Sequence, residues 1–328
     1  RRSGFEAAVK STHQSDDCSV YLISESGPRV YLVSTPETRA ICNDPLLYGV
    51  EYTRALQRAC ARALPHVSEA LKESQTTVVH LLRGGLNFGL REALADAFGW
   101  NAHSSTFLSA QRKRKADDPE EWEIGESEYK KLALADTVSL VLGDVVASGA
   151  SLQYGLDSML DAVKSRRLRT ILFFTIGGPR SEEVFQSLDS RIKASHPDYE
   201  GSTVVYFEGR FPVAGPDTPL QIKITGTDLL RHGPFLTPEF VESQYESPMF
   251  PVERCTIYDA GSRAFEVRAY LEDVLEYWEA VAALENAGFE DYLRERCPEL
   301  DSSRIRVDSL QTLARQQVKR LRAKLEAS

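Results

Sequence analysis

The chain is predicted to be an α/β protein, a parallel sheet with helices on both faces followed by a helical carboxyl-terminal region. Two observations predict it. Between Thr77 and Phe207, short apolar runs alternate with stretches whose apolar residues recur at helical spacing. Strands separated by helices pair in parallel, and the connecting helices cover the sheet. Beyond Ala260 the strand-like runs stop and the apolar residues keep only the helical period.

Taken in order, the segment up to Asp17 is polar, and Ser19 to Ser34 reads as a hairpin, two Val- and Leu-bearing runs around Glu-Ser-Gly-Pro. Asp44 to His66 has the period of a helix packed on a sheet. The alternation then runs strand Thr77–Leu82, helix Leu86–Ala97, strand Ala102–Leu108, strand Val138–Leu142, helix Leu152–Val163, strand Thr170–Ile176, helix Ser181–Ala194 and strand Ser202–Phe207. A loop rich in Gly and Pro follows from Gly209, with a strand expected over Leu220–Ile224. Helices are expected over Phe265–Ala287, Phe289–Arg296 and Ile305–Ala327. This divides the chain into residues 1–34, a core over 35–230, and a mainly helical extension over 231–328.

Composition removes several function classes. With 328 residues, 42% hydrophobic and 27% charged, the chain can bury one large or two modest cores. No apolar run approaches a membrane span and the amino end shows no hydrophobic signal segment, so a cytoplasmic protein without membrane contact is expected. The cysteines Cys18, Cys42, Cys60, Cys255 and Cys297 are scattered, with neither metal-ligand spacing nor a disulfide framework, which fits a reducing compartment. A net charge of −9 argues against broad nucleic-acid binding, which needs clustered cations to displace counterions. A local basic pocket for a small anion remains compatible with it.

Two loops carry chemistry. Val138 to Ser151 reads Val-Ser-Leu-Val-Leu-Gly-Asp-Val-Val-Ala-Ser-Gly-Ala-Ser: an apolar strand, an acid, a loop of small residues, then a helix. Such a loop has almost no side-chain bulk, so its N–H groups and the helix amino end can close around a phosphate. Ala147, Ser148, Gly149, Ala150 and Ser151 are therefore the candidate phosphate loop, and Asp144 can accept hydrogen bonds from sugar hydroxyls. The second loop follows the strand Thr-Thr-Val-Val-His-Leu-Leu and reads Arg83-Gly84-Gly85-Leu86-Asn87-Phe88-Gly89. A diphosphate needs exposed N–H groups, a nearby cation and no Cβ in the way, and Arg83, Gly84 and Gly85 supply all three. The plainer alternatives are a βα turn of any doubly wound domain and a glycine pair allowing close packing. The glycine spacing is that of neither a dinucleotide fingerprint nor a nucleotide P-loop.

The two loops together resemble the type I phosphoribosyltransferases, which bind phosphoribosyl pyrophosphate (PRPP), and are most similar to the uracil and hypoxanthine-guanine members. The family pattern is an apolar strand, two consecutive acids, two apolar residues and a loop such as Ala-Thr-Gly-Gly-Thr. This chain has Gly143-Asp144-Val145-Val146 and then Ala147 to Ser151, with Gly143 where the family has its first acid. The resemblance implies that Ala147–Ser151 hold the 5′-phosphate, that Asp144 holds the ribose and orients Mg²⁺ through water, and that Arg83, Gly84 and Gly85 hold pyrophosphate, with Asp144 and Arg83 as catalytic residues. It also implies a non-proline cis peptide at Arg83–Gly84. It spans roughly residues 35 to 230 in architecture and two short loops in detail.

Between Leu108 and Leu132 the pattern breaks into a charged run containing Arg112, Lys113, Arg114 and Lys115. A solvated face is one explanation; the resemblance implies a mobile catalytic loop whose cations close over pyrophosphate. The family's variable hood recognises the acceptor, and the hairpin at 19–34 and the chain beyond Phe207 are its candidates here. Phe207, Glu208 and Phe211 could stack on and read a heterocycle, although aromatics at a strand end are more often core. The last helix carries Arg315, Lys319, Arg320, Arg322 and Lys324 beside an apolar stripe; docking on its own chain or on a second copy in a homodimer is expected.

The expected function is transfer of ribose 5-phosphate from PRPP to a nitrogen of a small heterocyclic acceptor, releasing pyrophosphate, with Mg²⁺ brought in by the substrate. The alternative is a PRPP or nucleotide sensor or regulatory protein on the same fold, which Gly143 favours. A transcriptional regulator lacks its helix-turn-helix and a dehydrogenase its fingerprint.

Overall fold

The computed structural model describes residues 9–82, 84–109, 111–114, 122–126, 130–146, 149–214, 218, 220, 230–233, 235–254, 260–285 and 287–328. The strands among them are β1 (Lys10–Gln14), β2 (Ser19–Ser24), β3 (Arg29–Ser34), β4 (Thr76–Leu82), β5 (Ser104–Ser109), β6 (Gln111–Arg114), β7 (Trp122–Glu126), β8 (Lys130–Lys131), β9 (Thr137–Val146), β10 (Arg167–Gly177) and β11 (Ser202–Arg210). The helices are α1 (Pro36–Asn43), α2 (Gly49–Val67), α3 (Leu90–Phe98), α4 (Ala150–Val163), α5 (Arg180–Ser195), α6 (Pro238–Ser243), α7 (Ala260–Phe265), α8 (Val267–Ala282), α9 (Phe289–Arg296) and α10 (Leu310–Ala327).

Among the described residues, nine strands form one sheet in the order β1-β2-β3-β11-β10-β9-β4-β5-β8, and β6 and β7 form a separate antiparallel ribbon. The strands from β3 to β5 pair in parallel, while β1, β2 and β8 add antiparallel edges. The expected hairpin at 19–34 exists, but it is no hood: β3 pairs in parallel with β11, Val205 opposite Tyr31, and so extends the core sheet. The strand expected over Leu220–Ile224 lies outside the described residues apart from Leu220.

Period-two alternation divides the strands between two apolar layers. Val78, Val141, Leu172, Phe174, Val205 and Phe207 face α1, α2 and α3. Val79, Leu140, Leu142, Phe173, Val204 and Tyr206 face α4 and α5. Capping sets some helix starts. The Thr35 hydroxyl accepts from Thr38 N–H and Pro36 begins α1, while the Ser309 hydroxyl caps α10 through Thr312 N–H.

The expected helix over Asp44–His66 divides, because Asp44 to Tyr48 turns between α1 and α2. A third apolar cluster, around Trp278, Tyr270, Leu293 and Leu321, is built by α8, α9 and α10. It docks on the sheet layer through Arg263 of α7, which is 1% exposed. Its Nε donates to Leu47 O and its Nη2 to Asp44 O, each at 2.8 Å. Its guanidinium carbon lies 4.9 Å from the Tyr52 ring centre and 5.0 Å from that of Tyr270. No described helix is long and apolar enough to cross a membrane.

Because Arg263 satisfies two carbonyls at a buried seam, Arg263→Met is expected to strand both. Each unmade bond costs about 1–3 kcal/mol, so unfolding in urea should show a loss of at least about 2 kcal/mol. An unchanged midpoint would exclude Arg263 as the docking bolt.

Candidate functional site

The sheet has one topological switch point. From β4 the chain proceeds outward to β5, and from β9 it proceeds the other way to β10 and β11. Ligands of open α/β sheets bind at the carboxyl edge beside such a reversal. The pairing of β4 with β9 ends at Val79–Leu142, although β4 continues to Leu82 and β9 to Val146. The two strands therefore part at their carboxyl ends, and each delivers one of the two candidate loops to the opening.

On the β4 side, Gly84 to Phe88 form a 3₁₀ turn rather than the first turn of the expected helix, and α3 starts only at Leu90. Gly89 has φ +54°, a left-handed conformation that glycine adopts without strain, and it makes the break. The turn packs against β4, β9, α2 and α7. Gly85 lies so close to β9 that a Cβ there would sit 3.1 Å from the Gly143 carbonyl oxygen. Arg83 lies outside the described residues, and so does the expected cis peptide.

On the β9 side, Gly149 caps the amino end of α4 with φ +77°, and its carbonyl accepts from Gln153 N–H at 2.9 Å. Ala150 and Ser151 are half-buried in the first turn. Ala147 and Ser148 lie outside the described residues. Asp144 is half-buried at the strand end, and its Oδ1 accepts from Val145 N–H at 2.9 Å. Asp144, Gly149, Ala150, Ser151, Gly84 and Gly85 thus gather at one edge of the sheet. Of the charged run, Arg112, Lys113 and Arg114 lie on β6, paired with β7, whereas Lys115 lies outside the described residues, as do the side chains of the other three.

Gly143 has a steric cause that the sequence hid. A Cβ on Gly143 would lie 2.5 Å from Cγ of Phe88 and 2.6 Å from its Cδ1, and the Phe88 ring is fully buried. The aromatic ring of one loop fills the space a side chain at 143 would need. The signal was present as Phe88, three residues after the glycine pair, but nothing in one dimension joins it to Gly143.

The acceptor expectation for Phe207, Glu208 and Phe211 is corrected. All three are fully buried. Phe207 stacks on Phe174 at 5.8 Å between ring centres, and Phe211 meets Phe240 edge-on at 5.5 Å. Both belong to the core, where a heterocycle has no access. Glu208 instead ties three segments together at the carboxyl edge. Its Oε1 accepts from Ser34 Oγ at 3.1 Å, from Thr35 N–H at 3.3 Å and from the Thr38 hydroxyl. Its Oε2 accepts from Thr237 Oγ1 at 2.8 Å. It does so at φ +64°, a conformation costing a residue with a side chain of order 1 kcal/mol. Burial pushes its carboxyl up to about 7 despite those donors.

Two further arginines of this edge were not foreseen. Arg180 opens α5 and pairs with Glu183 at 2.5 Å, and Arg210 ends β11 and pairs with Glu182 at 2.9 Å.

Two outcomes follow. The Glu208 carboxyl binds its proton more tightly in the folded chain than in the unfolded one. Its stabilising contribution is complete below about pH 4.5 and is lost as pH rises through about 7. Relative to Glu208→Gln, the wild type is expected to lose about 3 kcal/mol between pH 5 and pH 8; parallel stability profiles would refute this. Gly143→Asp should destabilise the fold by about 3 kcal/mol or more, through overpacking against Phe88 and a buried charge. Gly143→Asp with Phe88→Ala should regain part of that loss, and a Gly143→Asp protein as stable as wild type would show that the ring yields freely.

No family model matches the chain, and no curated protein is similar to it. Among solved structures the chain is similar to a hypoxanthine phosphoribosyltransferase from Staphylococcus aureus, at 13% identity and a TM-score of 0.30, covering 57% of this chain and 89% of that one. It is similar to a hypoxanthine-guanine phosphoribosyltransferase of L. donovani, at 19% identity and a TM-score of 0.27, covering 50% and 85%. It is also similar to the adenine phosphoribosyltransferase of Trypanosoma brucei in complex with AMP, pyrophosphate and ribose-5-phosphate, at 14% identity and a TM-score of 0.31, covering 63% and 79%. Likenesses this distant carry no argument about chemistry, which rests on the geometry of the switch point.

Proposed function

We propose that the chain is a phosphoribosyltransferase that moves ribose 5-phosphate from PRPP to a nitrogen of a small heterocyclic acceptor and releases pyrophosphate. One observation carries this reading. Two loops, one beginning with Gly84-Gly85 and the other built of small residues, leave the same switch point from β4 and β9, so that one molecule can span both.

Each loop has its part. The N–H groups at the start of α4 and the Ser151 hydroxyl hold the 5′-phosphate, with Ala147, Ser148, Gly149 and Ala150 leaving it room. Asp144 accepts from the ribose hydroxyls. Gly84, half-buried, offers its backbone to the pyrophosphate, Gly85 lets the turn close on β9, and Arg83 offers charge-assisted hydrogen bonds to the anion. Displacement at C1 of the ribose passes through a cation-like centre, so the protein's work is positioning, charge stabilisation and exclusion of water. The charged ribbon of β6 and β7, with Lys115 beyond it, is the segment that would exclude water, and α4 packs against β7.

Magnesium fits this site only as substrate cargo. Among the described residues no group of three His, Cys, Asp or Glu side chains could cage an ion. Asp144 presents one carboxylate, suited to an ion that keeps its waters and rides on phosphate oxygens. Such an ion would neutralise charge on the departing pyrophosphate.

A second reading has its own observation. Phe88 leaves no room for an acid at Gly143, so Asp144 alone faces the ribose. A sensor that binds PRPP without turnover would tolerate that loss. Screening heterocycles with PRPP and Mg²⁺ for pyrophosphate release separates the two: release with one acceptor supports the transferase, and tight PRPP binding with no release from any acceptor supports the sensor.

Gly149→Val is expected to abolish PRPP binding, because valine at φ +77° is strained and its side chain runs into Arg180 and Val184, which displaces the start of α4. Gly149→Ala should show a smaller loss in the same direction. Asp144→Asn should lower affinity by about tenfold or more, from loss of charge-assisted hydrogen bonds of about 1.5–3 kcal/mol each. Unchanged calorimetric affinity in folded variants would remove these residues from the site.

A further inference from the structure

We infer that Arg180 is the cation of the phosphate subsite, parked on Glu183 until a phosphate monoester takes the carboxylate's place. The inference rests on the phosphate reading of the loop at Gly149 and adds a residue which that reading did not contain.

The first ground is proximity. Arg180 is the first residue of α5, and its side chain lies directly on Gly149: a Cβ built on that glycine would be 3.1 Å from Arg180 Cγ and 3.7 Å from Arg180 Nε. The guanidinium therefore starts from the flank of the loop, beside Val184, whose Cγ2 is 3.6 Å from the same Cβ position. Both helices that begin here are long, 14 residues in α4 and 16 in α5, and their positive ends converge on one edge.

The second ground is charge. The loop Ala147 to Ser151 offers hydroxyl and N–H groups but no cation, and Asp144 beside it is an acid. A phosphate monoester near neutral pH approaches two negative charges, and a planar guanidinium answers two of its oxygens at once. Arg83 belongs to the other loop and is committed there to pyrophosphate.

The third ground is the contrast between two neighbouring ion pairs. Glu182 and Glu183 are consecutive, and each holds one arginine. The Arg210 side chain is 20% exposed and its Glu182 partner 22%. Arg210 Nη1 donates to both Glu182 oxygens, at 2.9 and 3.1 Å, and its guanidinium carbon lies 3.8 Å from the Phe235 ring centre. That pair is a fixture. The Arg180 and Glu183 side chains are 55% and 60% exposed, and they lie three residues apart on one helix. An exposed pair of this kind contributes little to stability, so a dianion at Gly149 can draw the guanidinium away at small cost. Glu183 then returns to water near the positive end of α5, where a carboxylate is favoured. The exchange is non-covalent and selects a ligand carrying a terminal monophosphate.

The two partners should shift affinity in opposite directions, which a merely structural pair would not do. Calorimetry of the full chain with ribose 5-phosphate is the measurement, on wild type, Arg180→Gln, Glu183→Gln and Gly149→Val. Arg180→Gln should weaken binding by roughly tenfold to a hundredfold, the span of one charge-assisted contact. Glu183→Gln should tighten it by about two- to fivefold, because the exposed competing pair is gone. With Mg²⁺ and pyrophosphate as the probe, both variants should bind as wild type does. Loss of binding in Gly149→Val together with unchanged affinity in Arg180→Gln overturns this inference and leaves the loop assignment standing. Unchanged affinity in Gly149→Val overturns the loop assignment itself, and weaker binding in Glu183→Gln overturns the exchange.

Discussion

The carboxyl edge of the sheet depends on one buried carboxyl group. Glu208 is fully buried near the end of β11, and around it the chain brings the end of β3, the start of α1 and the cap of α6. Four donors converge on two oxygens, and the residue holds a left-handed backbone to meet them. A glycine would take that conformation at no cost but would leave the hydroxyls of Ser34, Thr38 and Thr237 without their acceptor. The fold accepts strain in order to satisfy buried polar groups, and three segments are tied together at this edge as a result. Arg39 extends the network, its Nη1 donating to Ser34 Oγ at 2.9 Å and its charge opposing the effect of burial on Glu208.

A second constraint acts at the switch point, where close packing and chemistry compete for the same space. Phe88 fills the position a side chain at 143 would occupy, Gly85 lets the 3₁₀ turn approach the β9 backbone, and α7 packs on that turn from outside. Since α7 carries Arg263, which is bonded to Leu47 and Asp44, the carboxyl-terminal helices are coupled to the loop at Gly84–Phe88 through a continuous set of buried contacts. An extension that looks like an appendage in sequence is thus a wall of the candidate site. The same packing leaves Asp144 as the carboxylate at this strand end, since Phe88 fills the space a side chain at 143 would need.

The strands β4, β5, β9, β10 and β11 were legible because each combines an apolar run with a following glycine or polar break, whereas β6, β7 and β8 lie in a charged run that carries no such pattern. The Ser181–Ala194 and Phe289–Arg296 helices were legible from period alone. Other features depended on the partner each segment meets. The hairpin at 19–34 reads the same whether it stands over a sheet or joins one, and the free edge of β11 decided that it joins. Phe207 and Phe211 carry aromatic chemistry suited to a base, but alternation along β11 and the arrival of α6 bury them. The 3₁₀ turn after β4 has the composition of a helix start, and the closeness of β9 tightened it.

By itself the sequence determined the α/β class, the order of the layers, the two small-residue loops and the acid at the end of β9, because these follow from local period, side-chain bulk and short-range order. The tertiary structure decided which loops share an edge, why position 143 is glycine, that Glu208 is a buried tie rather than a reader of bases, and that Arg180 stands against Gly149. Each of these joins residues far apart in the chain, 31 positions for Gly149 with Arg180 and 174 for Ser34 with Glu208. Only the folded sheet sets such distances, because steric fit and hydrogen-bond satisfaction are properties of neighbours in space.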